Sequence, residues 1–174
     1  MSIPEIAEGL SQAPQIPGRL EVVVSEPFTV LIDFAHTPDA LGRVLRTLKP
    51  LVPGRLIVLF GAGGDRDRHK RPRMGEAVAE LADLAIVTSD NPRTEDPDTI
   101  IDDVVDGMEG ADLRRKTDRR EAIALALAEA RPGDLVLLAG KGHESYQVVG
   151  REKLPFDEPG IVRDLLAGRE ARSS

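Results

Sequence analysis

One short polar segment combines the residue types that bind a small zwitterion. Asp90-Asn91-Pro92-Arg93 directly follows a short apolar run. Asn91 can both donate and accept hydrogen bonds, and Arg93 can bind a carboxylate through two parallel hydrogen bonds. Pro92 disfavours a helical conformation at Asn91 and so keeps the segment open. The same residues are also typical of a turn that leads into a helix, so this segment alone leaves both interpretations open.

A second segment is rich in glycine and leads into a basic run. The glycines from Gly61 to Gly64 would let a ligand approach the backbone closely. The segment is not a dinucleotide fingerprint, because Arg66 occupies the last glycine position, and no Gly-Lys-Ser or Gly-Lys-Thr phosphate loop follows. Five Lys or Arg residues and one His lie between Arg66 and Arg73, in a chain of net charge −7. Such a run is either a solvated face or a site for a phosphate or carboxylate.

Two further polar segments follow apolar runs in the same way. In the first, Asp33 and His36 precede a helix start, which favours anions, although Asp33 could also be a cap and His36 a surface residue. In the second, Gly140 permits tight backbone geometry and Glu144 offers an acceptor for an ammonium group. Ligands of open α/β sheets bind just beyond the carboxyl ends of the strands. We therefore expect these segments to meet at one edge of a sheet.

The elements that would position these segments alternate between strand and helix. This order predicts an α/β fold, with a Rossmann-like, mainly parallel sheet, helices on both faces and a short N-terminal hairpin. Apolar periodicity predicts strands at 20–24, 28–32, 55–60, 84–87, 113–117 and 135–139, helices at 38–48, 74–81, 100–108, 119–130 and 161–166, and a small hairpin at 147–156.

The composition excludes several classes of protein. With 174 residues, 41% of them hydrophobic, the chain is long enough for one domain with a proper core. The acidic balance argues against nucleic acid as a partner, and no apolar run reaches the length of a membrane span. The N-terminus lacks a signal sequence, so a cytoplasmic location is expected. Cysteine is absent and the three histidines are far apart, which argues against disulfides and a structural zinc site.

Taken in order, the polar segments resemble the C-terminal domain of the Mur ligases, the ATP-dependent amide ligases of peptidoglycan synthesis. The resemblance is strongest to the branch that adds meso-diaminopimelate, and it runs from about residue 18 to about residue 168. Two departures, Phe34 for the usual Tyr and Ala62 for a common Cys, remove no ligand-binding group. The motifs that carry the resemblance are Asp33-Phe34-Ala35-His36-Thr37-Pro38-Asp39-Ala40, Gly61-Ala62-Gly63-Gly64-Asp65-Arg66-Asp67, Lys70-Arg71-Pro72, Asp90-Asn91-Pro92-Arg93 and Gly140-Lys141-Gly142-His143-Glu144.

The resemblance implies a function shared between domains. Residues 18–174 would form the C-terminal domain and residues 1–17 the remnant of an interdomain linker. The domain would bind the amino acid and part of the nucleotide, while ATP and Mg would be bound mainly by a central domain that this chain does not contain. An N-terminal domain would hold the UDP-MurNAc-L-Ala-D-Glu substrate. The isolated chain is therefore expected to be inactive.

The resemblance also assigns residues. Nucleotide contacts would come from Asp33 and His36, and no catalytic residue is assigned within the chain. Arg93 would pair with the second carboxylate of diaminopimelate, which lysine lacks, and Glu144 with an ammonium group. The diaminopimelate site would comprise Arg66, Asp90, Asn91, Pro92, Arg93, Gly140 and Glu144.

Three alternatives remain open at this point. The same pocket would suit a stand-alone binding module, and a ligase that adds lysine or ornithine would need only a different choice of amino acid. A small nucleotide-binding transferase is a third possibility, although the absence of a phosphate loop argues against it. All readings that use the pocket require Arg66, Arg93 and Glu144 to face one shared cavity.

Overall fold

The computed structural model describes residues 14–173, so the predicted linker remnant at 1–17 lies mostly outside the described residues. A six-stranded sheet forms the centre, with the strand order β1-β2-β6-β3-β4-β5. Only β1 is antiparallel to its neighbour, β2, and all other pairs are parallel. Two further strands, β7 and β8, form a separate antiparallel hairpin. The α/β class, the mainly parallel sheet and both hairpins are confirmed.

The elements follow the predicted order closely. The strands are β1 (Glu21–Val24), β2 (Thr29–Asp33), β3 (Leu56–Phe60), β4 (Leu84–Val87), β5 (Leu113–Arg115), β6 (Leu135–Ala139), β7 (Tyr146–Val149) and β8 (Glu152–Pro155). The helices are α1 (Pro38–Leu48), α2 (Lys70–Ala79), α3 (Pro97–Val105), α4 (Arg119–Glu129) and α5 (Glu158–Ser173), with a single 3-10 turn at Lys49–Leu51. None of the helices within residues 14–173 is long and apolar enough to cross a bilayer.

Alternating side chains of the strands supply two separate cores. In β3, Leu56, Val58 and Phe60 pack towards α1, α2 and α3, whereas Ile57 and Leu59 pack towards α4 and α5. All five residues of β3 are buried, as expected for a strand that helices cover on both faces. The helices on both faces are therefore confirmed, and the cores are almost wholly aliphatic.

Side-chain caps set the starts of three helices. Thr37 accepts a hydrogen bond from the backbone of Ala40 at 3.2 Å and begins α1. Asp96 caps α3, immediately before Pro97, and Asp118 caps α4. Each cap satisfies a backbone N–H that would otherwise lack a partner. The Asp96 cap shows that the turn-into-helix interpretation of the segment after β4 is also correct.

Two helices begin earlier than apolar periodicity predicts, because an ionic side chain is buried at each start. α2 begins at Lys70 rather than at residue 74, and the Arg71 side chain in its first turn is only 1% exposed. α5 begins at Glu158, which forms a buried ion pair with Arg119 at 2.7 Å. Arg119 also donates to the carbonyl of Ala139 at 3.0 Å, at the end of β6. These buried charges lie where a hydrophobicity pattern expects surface.

The strand register brings the polar segments to one edge of the sheet. Asp33 at the end of β2 pairs with Ala139 at the end of β6, and Phe60 at the end of β3 pairs with Val87 at the end of β4. Because these strands are parallel, the segments that follow them all leave the sheet at its carboxyl edge.

Candidate functional site

A cavity of about 420 Å³ lies at the carboxyl edge of the sheet. Side chains or backbone from all four polar segments contribute to its wall. Two of the nine residues predicted for ligand binding, Asp33 and Pro92, do not line it. The seven that do are His36, Arg66, Asp90, Asn91, Arg93, Gly140 and Glu144. Arg66, Arg93 and Glu144 therefore face one shared space, as the sequence analysis required.

The backbone around Arg93 holds its side chain in place. Arg93 has a φ of +52°, which is uncommon for a residue with a side chain and costs on the order of 1–3 kcal/mol. Its N–H donates to Val148 at 3.1 Å, and its carbonyl accepts from Gly150 at 2.7 Å, so the β7–β8 hairpin fixes this conformation. The guanidinium Nη1 donates to the carbonyl of Gly64 at 2.8 Å. The other guanidinium nitrogens, Nε and Nη2, donate to no acceptor within residues 14–173.

The glycine-rich segment packs directly against the Asp90–Arg93 segment. The N–H of Gly64 donates to the carbonyl of Asn91 at 2.9 Å. A Cβ on Gly64 would lie 1.9 Å from the carbonyl oxygen of Pro92, and a Cβ on Gly63 would lie 3.0 Å from Nη1 of Arg93. These glycines are therefore required by close packing of one loop on another, and the contact positions Arg93.

The basic run that follows braces the loops and also lines the cavity. Arg71 is buried, and it donates to both oxygens of Glu95, at 2.7 and 3.0 Å, and to Asp103 at 2.8 Å. Arg68 pairs with the same two carboxylates at 3.5 Å. The hydrogen bond from Arg71 is the largest cause that lowers the pKa of Glu95, to about 2. These two arginines brace the loops.

Three members of the basic run, Arg66, Lys70 and the buried Arg71, line the cavity. They and Arg93 supply positive charge there, and negative charge comes from Asp67, Asp90 and Glu144. A wall with both signs suits a ligand that itself carries both. Within residues 14–173, no three His, Cys, Asp or Glu side chains come together as a possible metal site.

Asn91 is committed to contacts within the protein. Its side-chain oxygen accepts from Lys141 Nζ at 3.2 Å and from the backbone of Val148 at 2.9 Å. Its amide nitrogen donates to Glu144 Oε2 at 3.1 Å. Asn91 thus links the segment after β4 to the segment after β6 and to the hairpin. Its geometry shows a structural contribution to the site, and the predicted contact with a ligand stays a prediction.

Asp33 is likewise occupied by the backbone. Its two carboxylate oxygens accept from the N–H groups of Ala35 at 2.8 Å and Leu20 at 2.9 Å, and the residue is buried. Asp33 does not line the 420 Å³ cavity, and with Phe34 and His36 it lines a neighbouring one. His36 is exposed, with Nδ1 2.8 Å from the carbonyl of Phe34 and the two rings 4.5 Å apart.

Sequence reasoning gave no role to two residues behind the cavity. Lys141 belongs to the Gly140–Glu144 motif of the family resemblance, yet the sequence did not predict its burial or its contacts with the acidic residues of the site. Gln147 donates to the carbonyl of Asp90 at 2.7 Å and anchors that segment to the hairpin. The available signal was a lysine between two glycines directly after a buried strand, where a long charged side chain has little room to reach solvent.

Comparison with known proteins agrees with the geometry. The family model described as "Mur ligase, glutamate ligase domain" matches residues 18–142. A UDP-N-acetylmuramoyl-L-alanyl-D-glutamate–2,6-diaminopimelate ligase from Nostoc sp. is 53% identical over 171 residues, covering 95% of this chain and 34% of the relative. The chain thus spans about a third of the length of the curated relatives that it matches.

Solved structures lead to the same family. The structure of a UDP-N-acetylmuramoyl-L-alanyl-D-glutamate–2,6-diaminopimelate ligase matches with a TM-score of 0.85 and 41% identity, covering 98% of this chain and 35% of that one. A Mycobacterium tuberculosis folylpolyglutamate synthase, solved with ADP and AMPPCP, matches with a TM-score of 0.58 and 24% identity, covering 80% and 33%, and this likeness shows the fold alone. The chain belongs to the Mur ligase family, and it corresponds to the C-terminal domain of those enzymes.

Proposed function

We propose that this chain is the amino-acid-binding and part-nucleotide-binding domain of an ATP-dependent ligase that adds meso-diaminopimelate to UDP-MurNAc-L-Ala-D-Glu. The observation that carries the proposal is the single cavity into which Arg66, Arg93 and Glu144 all face. Diaminopimelate carries a carboxylate and an ammonium group at each end. A cavity wall that carries both signs of charge complements such a molecule.

Arg93 supports recognition of the distal carboxylate. One side of its guanidinium group is held by the carbonyl of Gly64, and Nε and Nη2 remain as donors for a ligand. A carboxylate bound by two parallel hydrogen bonds would stabilise the complex by on the order of 1.5–3 kcal/mol. Bound lysine would have no carboxylate for Arg93 and could bring its side-chain ammonium group close to the guanidinium. Part of the selectivity for diaminopimelate over lysine is therefore repulsive.

The opposite end of the ligand would meet acidic groups. Glu144 uses Oε2 for Asn91, and its other oxygen, Oε1, accepts no hydrogen bond within residues 14–173. In the proposed complex Oε1 receives the ammonium group, and Arg66 lies nearby for the α-carboxylate. Holding the amine in a fixed place relative to the activated carboxyl group is a proximity effect, to which this domain contributes orientation.

The nucleotide would reach the same edge of the sheet at His36, which lies on the cavity wall. Asp33 would act on it indirectly, by fixing the loop from which His36 projects. We propose that Mg and most of the ATP site belong to the parts of the full-length protein outside this chain. The cytoplasmic location remains a prediction.

Phosphate release by the full-length protein tests this proposal. We expect release from ATP to require both the UDP-linked dipeptide and an amino acid, and to be fastest with meso-diaminopimelate. The 174-residue chain alone should release no phosphate above background, because half of the cleft is missing. Faster reaction with lysine or ornithine would show that the substrate is wrong, and ATP turnover by the isolated chain would contradict the division of labour between domains.

A further inference from the structure

The ammonium group of Lys141 lies completely buried behind the acidic part of the cavity. Its Nζ donates to the carbonyl of Tyr146 at 2.9 Å and to Asn91 Oδ1 at 3.2 Å. It also forms an ion pair with Asp90 Oδ1 at 3.1 Å and lies 3.9 Å from Glu144 Oε2. The side chain is 0% exposed and is not part of the cavity wall. Lys141 therefore cannot touch a ligand in this arrangement.

Lys141 and the backbone of Val148 together determine which way the Asn91 amide points. Lys141 Nζ and the backbone N–H of Val148 can only donate, so the Asn91 atom between them has to be the oxygen. The amide nitrogen then faces Glu144 Oε2. An amide turned the other way would set donor against donor at two positions. Lys141 and Val148 thus fix Asn91, and Asn91 in turn fixes Glu144.

The charge of Lys141 also keeps two carboxylates close together. Asp90 and Glu144 both line the cavity, and their mutual repulsion is offset by Lys141, the one cation within 4 Å of both carboxylates among residues 14–173. An uncompensated buried carboxylate is strongly unfavourable. With Lys141 and Asn91 both at Oε2 of Glu144, the other oxygen, Oε1, accepts no hydrogen bond within residues 14–173.

We infer that Lys141 is a positioning residue, which arranges Asp90, Asn91 and Glu144 to receive the ammonium group of the amino acid without touching it. The inference rests on the proposed function, and it adds a residue that controls the amine end of the ligand. It predicts that Lys141 affects binding of the amino acid and leaves binding of the nucleotide unchanged.

The first test is steady-state kinetics of the full-length protein with Lys141→Met. We expect the KM for diaminopimelate to rise roughly 10²-fold, as for a misplaced binding group, while the KM for ATP changes less than about twofold. Lys153→Met is the matched control, because Lys153 lies in the β7–β8 hairpin that Lys141 contacts at Tyr146 but is exposed, with its ammonium 4.3 Å from the Tyr146 ring centre. It should leave both constants unchanged. Equal effects of Lys141→Met on both substrates, or none, would overturn the inference.

A double-mutant cycle tests whether Lys141 acts through Glu144. If it does, adding Lys141→Met to a Glu144→Gln protein should raise the KM for diaminopimelate little beyond the value for Glu144→Gln alone. If the increase in KM of the double variant equals the product of the two single increases, the two residues act independently, and the inference would fail.

A measurement on the unmodified protein covers the case in which Lys141→Met does not fold. In full-length protein labelled with ¹⁵N in lysine and asparagine, diaminopimelate should shift the Lys141 ammonium and Asn91 amide resonances. Pimelate, which has both carboxylates but no amine, should not. Equal shifts with both, or no shift at saturating diaminopimelate, would refute the inference. If another diamino acid proves to be the substrate, the proposed substrate is wrong, and the same comparisons with that amino acid still decide the role of Lys141.

Discussion

Replacing Glu95 by glutamine removes the carboxylate that holds Arg71 against the glycine-rich segment. Arg71 is buried and donates to both oxygens of Glu95. This pairing, with smaller contributions from the backbone of Asp65 and from Arg68, lowers the pKa of Glu95 from 4.5 to about 2. The carboxylate is thus bound more tightly in the folded state than in the unfolded chain, and its ionisation stabilises the fold.

The size and pH range of this stabilisation follow from linkage. The difference between the two pKa values corresponds to roughly 3 kcal/mol, and because solvent reaches 22% of the Glu95 side chain we expect about 2–3 kcal/mol. Because the folded pKa is the lower one, this contribution is fully present above about pH 4.5. It is lost as the pH falls from 4.5 towards 2.

Urea unfolding of the 174-residue chain at a series of pH values measures the effect, and urea avoids the screening that a guanidinium salt would introduce. At pH 7 the free energy of unfolding of Glu95→Gln should lie about 2–3 kcal/mol below that of the unmodified chain, and the gap should close towards pH 2. Glu109→Gln, at an exposed position without an ion pair in the described residues, should match the unmodified chain at every pH. A gap that is absent at pH 7, or equally large at pH 2.5, would refute the reasoning.

Three other substitutions test separate parts of the structure. In the full-length protein, Arg93→Ala should raise the KM for diaminopimelate by about 10- to 100-fold, because one charge-assisted contact is lost, and should change the KM for ATP little. Equal effects on the two KM values in a phosphate-release assay would contradict that role. Gly64→Ala should lower the free energy of unfolding by on the order of 1–3 kcal/mol, because the new Cβ would meet the Pro92 carbonyl, whereas Gly168→Ala, which meets nothing, should not. Arg119→Met should cost about 3–5 kcal/mol by leaving Glu158 buried and unpaired, and Arg119→Met/Glu158→Leu should recover most of that loss in the same unfolding measurement.

The sequence was sufficient for the parts of the fold that follow from local pattern. The aliphatic strands, such as Leu135–Ala139, are continuous apolar runs, and caps such as Thr37 and Asp96 are local signals. The carboxyl-edge location of the polar segments also followed, because parallel strands impose it. The resemblance to a family then supplied the candidate binding residues.

The buried polar contacts could not be predicted from pattern alone. Lys141 and Asn91 are 50 residues apart, Arg119 and Glu158 are 39 apart, and each is buried only because its partner is there. A hydropathy pattern assigns such residues to the surface, since a charge without a partner would stay in water. Nor does pattern alone show that the oxygens of Asp33 accept from the backbone of Leu20 and Ala35, and its contact with a nucleotide stays a prediction.

The chain enters the domain against the loop after β6, which carries Glu144. Gly18, with a φ of +68°, packs so closely on the loop after β6 that a Cβ there would lie 2.1 Å from the backbone nitrogen of His143. Arg19 then covers the Phe34 ring at 4.9 Å. This contact joins the segment that enters the domain to the loop that carries Glu144, so a side chain larger than glycine at position 18 would displace that loop.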